Sequence, residues 1–385
     1  MTDNFLFQTV PHCVFGEGAV AELAAHLKGE GLTRIAVVTD KGLVATGVVA
    51  TVGAALRSAG LEPLVFDSIV ADPPEEIVIT MAEAVRDFGA DAVVGLGGGS
   101  PMDSAKVIAV LAGPKPQPLA EMYGVGNVTA PRLPLYMVPT TAGTGSEVTP
   151  IAILTTGETT KAGIVSPRLY ADGAFLDPAL TIGLPAHITA STGLDAMVHA
   201  IESYTGRLKK NPMSDMLAKE ALRLLTGNLV RACHHGDDMV AREAMLRGSM
   251  IAGQAFANSP VGAVHALAYP LGGIFHVPHG LSNALVMPHV LRFNLDAAAP
   301  LYAELADALH LNAPDGEIAK AEAFIGYLEQ LSIDSGAPQR LRDIDIPEDS
   351  LDRLADDAML QERLLINNPR EMTRDAAREV YDAAW

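Results

Sequence analysis

From Gly248 to Leu291 the chain carries no Asp, Glu, Lys or Arg. An uncharged stretch of that length has to leave water, either into a bilayer or into the interior of a protein. Pro260, Pro270, Pro278 and Pro288 interrupt it, and His265, His276, His279 and His289 lie along it. Prolines break a spanning helix, and intramembrane imidazoles are rare. The stretch is therefore expected to lie in a buried protein interior.

A chain of 385 residues exceeds what one hydrophobic core usually supports, so two domains are expected. With 49% hydrophobic and 19% charged residues it reads as globular. The formal charge of -19 repels a phosphate backbone and anionic lipid alike, which argues against nucleic acid and membrane as partners. Cys13 and Cys233 are too few for a disulfide framework. A reducing, cytoplasmic setting is expected, and MTDNFLFQTVPHC lacks the basic and apolar regions of a secretory signal.

The first half alternates β-branched runs with helical patterns: the strand RIAVVTD, a helix ending at Gly60, the strand PLVFD, a helix over EEIVITMAEAVRDFG, then the strand ADAVVGLG running into glycines. Such alternation predicts parallel strands with crossover helices, and ligands of such sheets sit at the strands' carboxyl ends. From about Leu184 long helical patterns take over, as in MSDMLAKEALRLLTGNLVRAC and AREAMLRGSMIAGQAF. The reading is an α/β domain over 1–184 and an all-helical domain over 185–385, divided at Leu184-Pro185.

Two polar loops follow strands. In GLGGGSPMDSAK, Gly97, Gly98 and Gly99 would let the backbone approach a pyrophosphate at a helix N-terminus, while Ser100 or Asp103 could instead cap the helix. PTTAGTGSEVTP offers hydroxyls and backbone N–H groups suited to a cofactor's phosphates, ribose or carboxamide, or forms an ordinary turn. Asp40 ends the first strong strand, where a carboxylate either accepts ribose hydroxyls and repels a 2′-phosphate or caps the next helix.

In GLDAMVHAIESY, Asp195 and His199 stand four apart on one helical face. His265 and His279 can complete a set of one carboxylate and three imidazoles if their elements fold back onto this helix. Such a set suits Fe(II) or Zn(II). Spacing alone leaves open whether these histidines are ligands or hydrogen-bonded core residues.

GGGSPMDSAK, PTTAGTGSEVTP, GLDAMVHAIESY and HALAYPLGGIFHVPHG, in this order, resemble the iron-containing (group III) alcohol dehydrogenases, such as the lactaldehyde reductase and 1,3-propanediol dehydrogenase-like members. The resemblance covers essentially the whole chain, NPREMT near the C-terminus included. It implies a Rossmann-like N-terminal domain, a helical C-terminal domain as in dehydroquinate synthase, and a cleft holding NAD and a divalent metal, Fe(II) or alternatively Zn(II). It implies Asp195, His199, His265 and His279 as metal ligands, and Asp40, Gly97, Gly98, Gly99, Ser100, Asp103, Thr140, Thr141, Thr144 and Lys161 around the dinucleotide, with VTDKGL selecting NAD. The implied reaction is hydride transfer between a small-molecule alcohol and its aldehyde or ketone, in a homo-oligomer.

The chain departs from the family pattern four residues after His265, where many members carry a second histidine and this one has Tyr269. Tyr269 is read as a proton relay or a pocket wall. His276, which matches no family ligand, is read as a neighbour of the ligands or of the pocket and, with Tyr269, as a candidate catalytic group for release of the substrate's proton. Ile151 and Phe256 suggest an apolar substrate pocket. Alternatives are a reductase of lactaldehyde, a semialdehyde or maleylacetate, and a dehydroquinate synthase-like lyase. Asp195 argues against the metal-independent maleylacetate branch, and no cluster of Lys and Arg suited to the lyase is evident. A non-catalytic nucleotide-binding module would leave the four ligands unexplained.

Overall fold

The β-branched runs become the strands of a parallel sheet. The computed structural model describes residues 4–157 and 160–385, and its strands in chain order are β1 (Cys13–Phe15), β2 (Arg34–Asp40), β3 (Glu62–Ile69), β4 (Ala92–Gly97), β5 (Gly124–Val125), β6 (Leu135–Pro139), β7 (Ile151–Thr156), β8 (Thr160–Val165) and β9 (Gly173–Leu176). Six of them form one sheet in the order β1-β9-β6-β4-β2-β3, every neighbouring pair parallel. Helices α1 (Ala19–Gly29), α2 (Lys41–Ala45), α3 (Val48–Ser58), α4 (Glu75–Phe88) and α5 (Gly99–Leu111) belong to the same unit. Ile35 to Val38 and Ala92 to Val94 are buried, which is why the central strands read as unbroken apolar runs and not as alternating ones. A small second sheet, β5-β8-β7, has an antiparallel β7/β8 pair that the sequence pattern did not announce.

The remaining described helices are α6 (Ala186–Thr205), α7 (Pro212–Thr226), α8 (Leu229–His234), α9 (Met239–Asn258), α10 (Ala263–Phe275), α11 (His279–Phe293), α12 (Leu295–Ala308), α13 (Glu317–Asp334), α14 (Leu351–Ala358), α15 (Glu362–Leu365) and α16 (Arg374–Ala384). The uncharged stretch supplies the end of α9, all of α10 and most of α11, and its apolar residues are largely buried. Pro278 caps α11 and Pro260 lies between helices, but Pro270 and Pro288 sit inside α10 and α11. These two forgo a hydrogen bond without ending their helices. No helix among the described residues is long and apolar enough to cross a membrane.

Compact packing divides the chain into Thr9–Thr141 with Gly145–Ile182, and Gly183–Trp385 with Ala142–Thr144 and the residues up to Gln8. Two short segments thus leave the sheet for the helical unit. Gln8 and Asn258 exchange hydrogen bonds of 2.7 and 2.8 Å, and the Gly143 carbonyl meets His199 at 3.2 Å. Contacts of this kind join residues far apart in sequence, so a boundary drawn from composition alone does not show them.

Within the α/β unit a buried cation ties the two polar loops together. Lys106, fully buried on α5, donates to Ser146 Oγ at 2.8 Å, Thr149 Oγ1 at 3.2 Å and the Ile151 carbonyl at 2.6 Å, and pairs with Asp103 at 3.5 Å. The neighbouring Glu147 is 2% exposed, and its Oε1 makes no hydrogen bond. Burial pushes the Glu147 carboxyl up from 4.5 to about 7, against the pull of its own backbone amide and of Lys106. An acid raised on folding weakens the fold as pH rises from about 4.5 through about 7, because the unfolded chain releases its proton first. Glu147→Gln removes that penalty. Urea unfolding is expected to show the variant gaining about 1–3 kcal/mol on the wild type between pH 5 and pH 8. A difference that does not change with pH would contradict the assignment.

Candidate metal centre and nucleotide cradle

In the α/β unit, counting from β2, the strand order becomes second, first, third, fourth, fifth, so the chain reverses its direction of growth between β2 and β4. Ligands of doubly wound sheets sit at this switch, outside the strands' carboxyl ends. Asp40 closes β2, Gly97 closes β4, and Thr140 follows β6, its amide donating to the Gly97 carbonyl at 2.9 Å. Gly97 has φ +145°, and a Cβ there would lie 2.8 Å from Pro101 Cγ, so no other residue fits this turn without strain. Gly98 is the N-cap of α5 and no side chain caps the helix, so neither Ser100 nor Asp103 takes that part. Thr141 Oγ1 is sheltered from water without a hydrogen bond, and a Cβ on Gly98 would come within 3.5 Å of it. An uncapped helix start, a glycine cradle and an unsatisfied hydroxyl fit a phosphate-bearing ligand.

Other residues read for the cofactor are engaged within the protein. Asp103 accepts from Ser146 Oγ at 2.5 Å and the Ile153 amide at 2.9 Å. Lys161, on β8, pairs with Asp72 at 2.5 Å. Asp40 Oδ1 caps α2 by accepting from the Leu43 amide at 2.8 Å. Thr144 packs with the helical unit, and Ile151 opens β7.

The helical unit brings together three of the four residues read as metal ligands. One atom each of Asp195, His265 and His279 lie within 4.8 Å of one another. Asp195 Oδ1 stands 3.9 Å from His265 Nε2 and 3.7 Å from His279 Nε2. Tetrahedral bonds of about 2.1 Å place ligand atoms roughly 3.4 Å apart, so the spacing suits a small divalent ion. Asp195, His199 and His265 are at most 4% exposed, while His279 is partly open. His199 lies outside this group of three, its ring stacked on His265 at 4.8 Å and on Phe256 at 4.2 Å. Gly280 permits the close approach of α11 to α6, since a Cβ there would fall 2.4 Å from the Ser191 carbonyl oxygen.

Neighbouring groups set the state of His199, His265 and Asp195. His199 Nδ1 faces the Gly143 carbonyl at 3.2 Å. A carbonyl only accepts, so Nδ1 carries the proton and Nε2 keeps its lone pair. His265 Nδ1 donates to Glu202 Oε2 at 2.6 Å, and Glu202 Oε1 accepts from the Val264 amide at 2.7 Å. Burial lowers the His199 imidazole to about 4 despite Asp195, leaving it neutral at pH 7. Burial alone would raise the Asp195 carboxyl, but the imidazoles of His199, His279 and His265 and the Asn283 amide hold it below its ordinary range.

The sequence reading missed Glu202 and Asn283. Glu202 lies seven residues after Asp195 on the face that also bears His199, and Asn283 lies four after His279, so helical periodicity could have flagged both. Tyr269 stands beside His279, ring centroids 5.8 Å apart. His276 is exposed and ends α10 in a left-handed conformation at φ +56°, outside the group.

Comparison with known proteins gives the same picture. Residues 11–178 match the family model for iron-containing alcohol dehydrogenase, and residues 189–385 match the C-terminal model of the Fe-containing alcohol dehydrogenase family. Long-chain-alcohol dehydrogenase 1 of Geobacillus thermodenitrificans is 39% identical over 96% of this chain and 94% of its own. A solved 1,3-propanediol oxidoreductase superposes with TM-score 0.95 at 36% identity, over 99% of this chain and 100% of its own. Sulfoacetaldehyde reductase from Bifidobacterium kashiwanohense, solved in complex with NAD+, superposes with TM-score 0.88 at 31% identity, over 99% and 98%. On the two family models and these relatives, the chain belongs to the iron-containing alcohol dehydrogenase family.

Proposed function

We propose that this protein is an NAD(H)-linked, metal-dependent alcohol dehydrogenase that interconverts a small alcohol and its aldehyde or ketone. The observation that carries the reading is the buried convergence of Asp195, His265 and His279, with His199 stacked beside them. One carboxylate and neutral imidazoles are a donor set for Fe(II), with Zn(II) as the alternative, and not for the oxygen-seeking Mg(II) or Ca(II). A divalent ion held there supplies a Lewis acid toward an alcohol or carbonyl oxygen, and a nicotinamide supplies the hydride partner.

The chain's own part is orientation and electrostatics. Glu202 fixes the His265 ring, the Gly143 carbonyl fixes the His199 tautomer, and Phe256 covers the His199 face. Of the two residues read for proton release, Tyr269 is the one whose ring adjoins a ligand. Phe256 and Tyr269 are uncharged, which favours a substrate with an alkyl or aryl portion near the reacting carbon. At the switch of the sheet, Asp40 would accept the ribose hydroxyls of NAD and repel the extra phosphate of NADP.

A panel of alcohols and aldehydes with NAD(H), run on metal-stripped protein reloaded with Fe(II) or Zn(II), tests the reading. Asp195→Ala and His265→Ala are expected to abolish ion uptake and turnover while NAD binding persists; turnover without metal in both would sink it. Glu202→Gln, which keeps the shape but weakens the grip on His265, is expected to lower ion affinity about 10–100-fold in a chelator competition. Asp40→Gly should raise the kcat/KM ratio of NADP to NAD. The lost cap costs only about a few tenths of a kcal/mol, so an unchanged ratio would count against the ribose role.

A further inference from the structure

The Asn283 carboxamide lies at the centre of the ligand set. Its Nδ2 stands 2.6 Å from Asp195 Oδ1 and 3.3 Å from both His265 Nε2 and His279 Nε2. The residue is fully buried, and its Oδ1 has no hydrogen-bond partner. Because Glu202 takes the Nδ1 proton of His265, the Nε2 of that ring offers a single lone pair. One lone pair serves one partner, so an ion that binds His265 Nε2 must displace the amide from it. The same exclusion holds at His279 whenever its Nε2 coordinates.

We propose that Asn283 is a built-in competitor of the metal ion: its two amide protons are shared among the three ligand atoms when no ion is bound, and the amide gives up the two imidazoles when an ion arrives. This rests on the reading of Asp195, His265 and His279 as ion ligands. The arrangement has a physical rationale. Converging acceptors, two of them on the buried Asp195 and His265, would cost the fold heavily without a donor. An amide offers two protons to them, and its own unpartnered Oδ1 makes the arrangement weak enough to be displaced. By linkage, a group that stabilises the ion-free fold more than the ion-bound fold lowers ion affinity by the same factor.

The test measures Zn(II) affinity on metal-stripped full-length protein by competition with a chromogenic chelator, with Tm recorded with and without Zn(II), for the wild type, Asn283→Ala and Asn283→Ser. Both variants are expected to bind Zn(II) roughly tenfold more tightly than the wild type, the worth of one to two buried hydrogen bonds. Their Tm should also rise further on adding Zn(II). A variant that folds only with Zn(II) bound is the extreme of the same result. If Asn283→Ala fails to fold under either condition, the shorter hydroxyl of Asn283→Ser decides. Affinity that is unchanged or weaker, with Tm lowered equally in both conditions, would make Asn283 a plain structural residue and overturn the proposal. A wild type that takes up no Zn(II) or Fe(II) would overturn the metal-centre reading beneath it.

Discussion

A carboxylate and two imidazole nitrogens brought within 4.8 Å of one another, two of the three residues fully buried and His279 partly open, present converging negative charge and lone pairs with limited water to screen them. Something positive or proton-donating has to face them, and much of the helical unit is arranged around that demand. Three helices each contribute residues four apart: Asp195 and His199 on α6, His265 and Tyr269 on α10, His279 and Asn283 on α11. A fourth, α9, lays Phe256 over His199. The absence of side-chain bulk at Gly280 lets α11 lie against α6. The uncharged composition of Gly248 to Leu291 follows from its burial, and beside Asp195 a further charge would also disturb this balance. A Lys or Arg there would take Asp195 for itself, and a further carboxylate would add to the charge the fold already has to balance.

The α/β unit meets a different demand, that of holding a glycine turn and a hydroxyl-rich loop in place at the carboxyl ends of the strands. It does so with a buried lysine. Lys106 reaches from α5 to Ser146, Thr149 and the Ile151 carbonyl, while Asp103 on the same helix accepts from Ser146 and the Ile153 amide. A buried ammonium is tolerated because each of its donors finds an oxygen and a carboxylate stands near. Asp103 thus acts on the cradle through the loop it anchors. Its place in the GGGSPMDSAK motif is explained by that loop whether or not it also touches a ligand.

How much of this was legible in the sequence depends on how local the cause is. The strand RIAVVTD is β2 to the residue, because a run of buried β-branched residues ending at an acid is a local signal. Of the residues read as ligands, Asp195 and His199 were visible as a pair four apart and His265 and His279 as histidines of the uncharged segment, while only the motif resemblance joined the four into one set. Glu202 and Asn283 were not seen: helical spacing puts each on the face of a candidate ligand, but the partner each acts on lies on another helix, 63 and 88 positions away, and spacing does not name it. The transfer of Ala142–Thr144 to the helical unit was hidden for the same reason, since its cause is a backbone carbonyl that meets His199. Pro270 and Pro288 misled in the other direction. Local chemistry says they end helices, and tertiary burial kept those helices whole.

His276 and Tyr269 show what backbone placement adds to side-chain chemistry. Both lie in one uncharged segment within reach of the ligands in sequence, and an imidazole is the better proton carrier near neutral pH. Yet His276 falls at the end of α10 in a left-handed turn, where its backbone N–H closes the helix and the residue is exposed. Tyr269 falls one helical turn after His265, where the repeat of α10 carries it to the side of the ligands, against the His279 ring. The less basic group therefore holds the better position. A phenol donates a proton readily but withdraws one poorly at neutral pH.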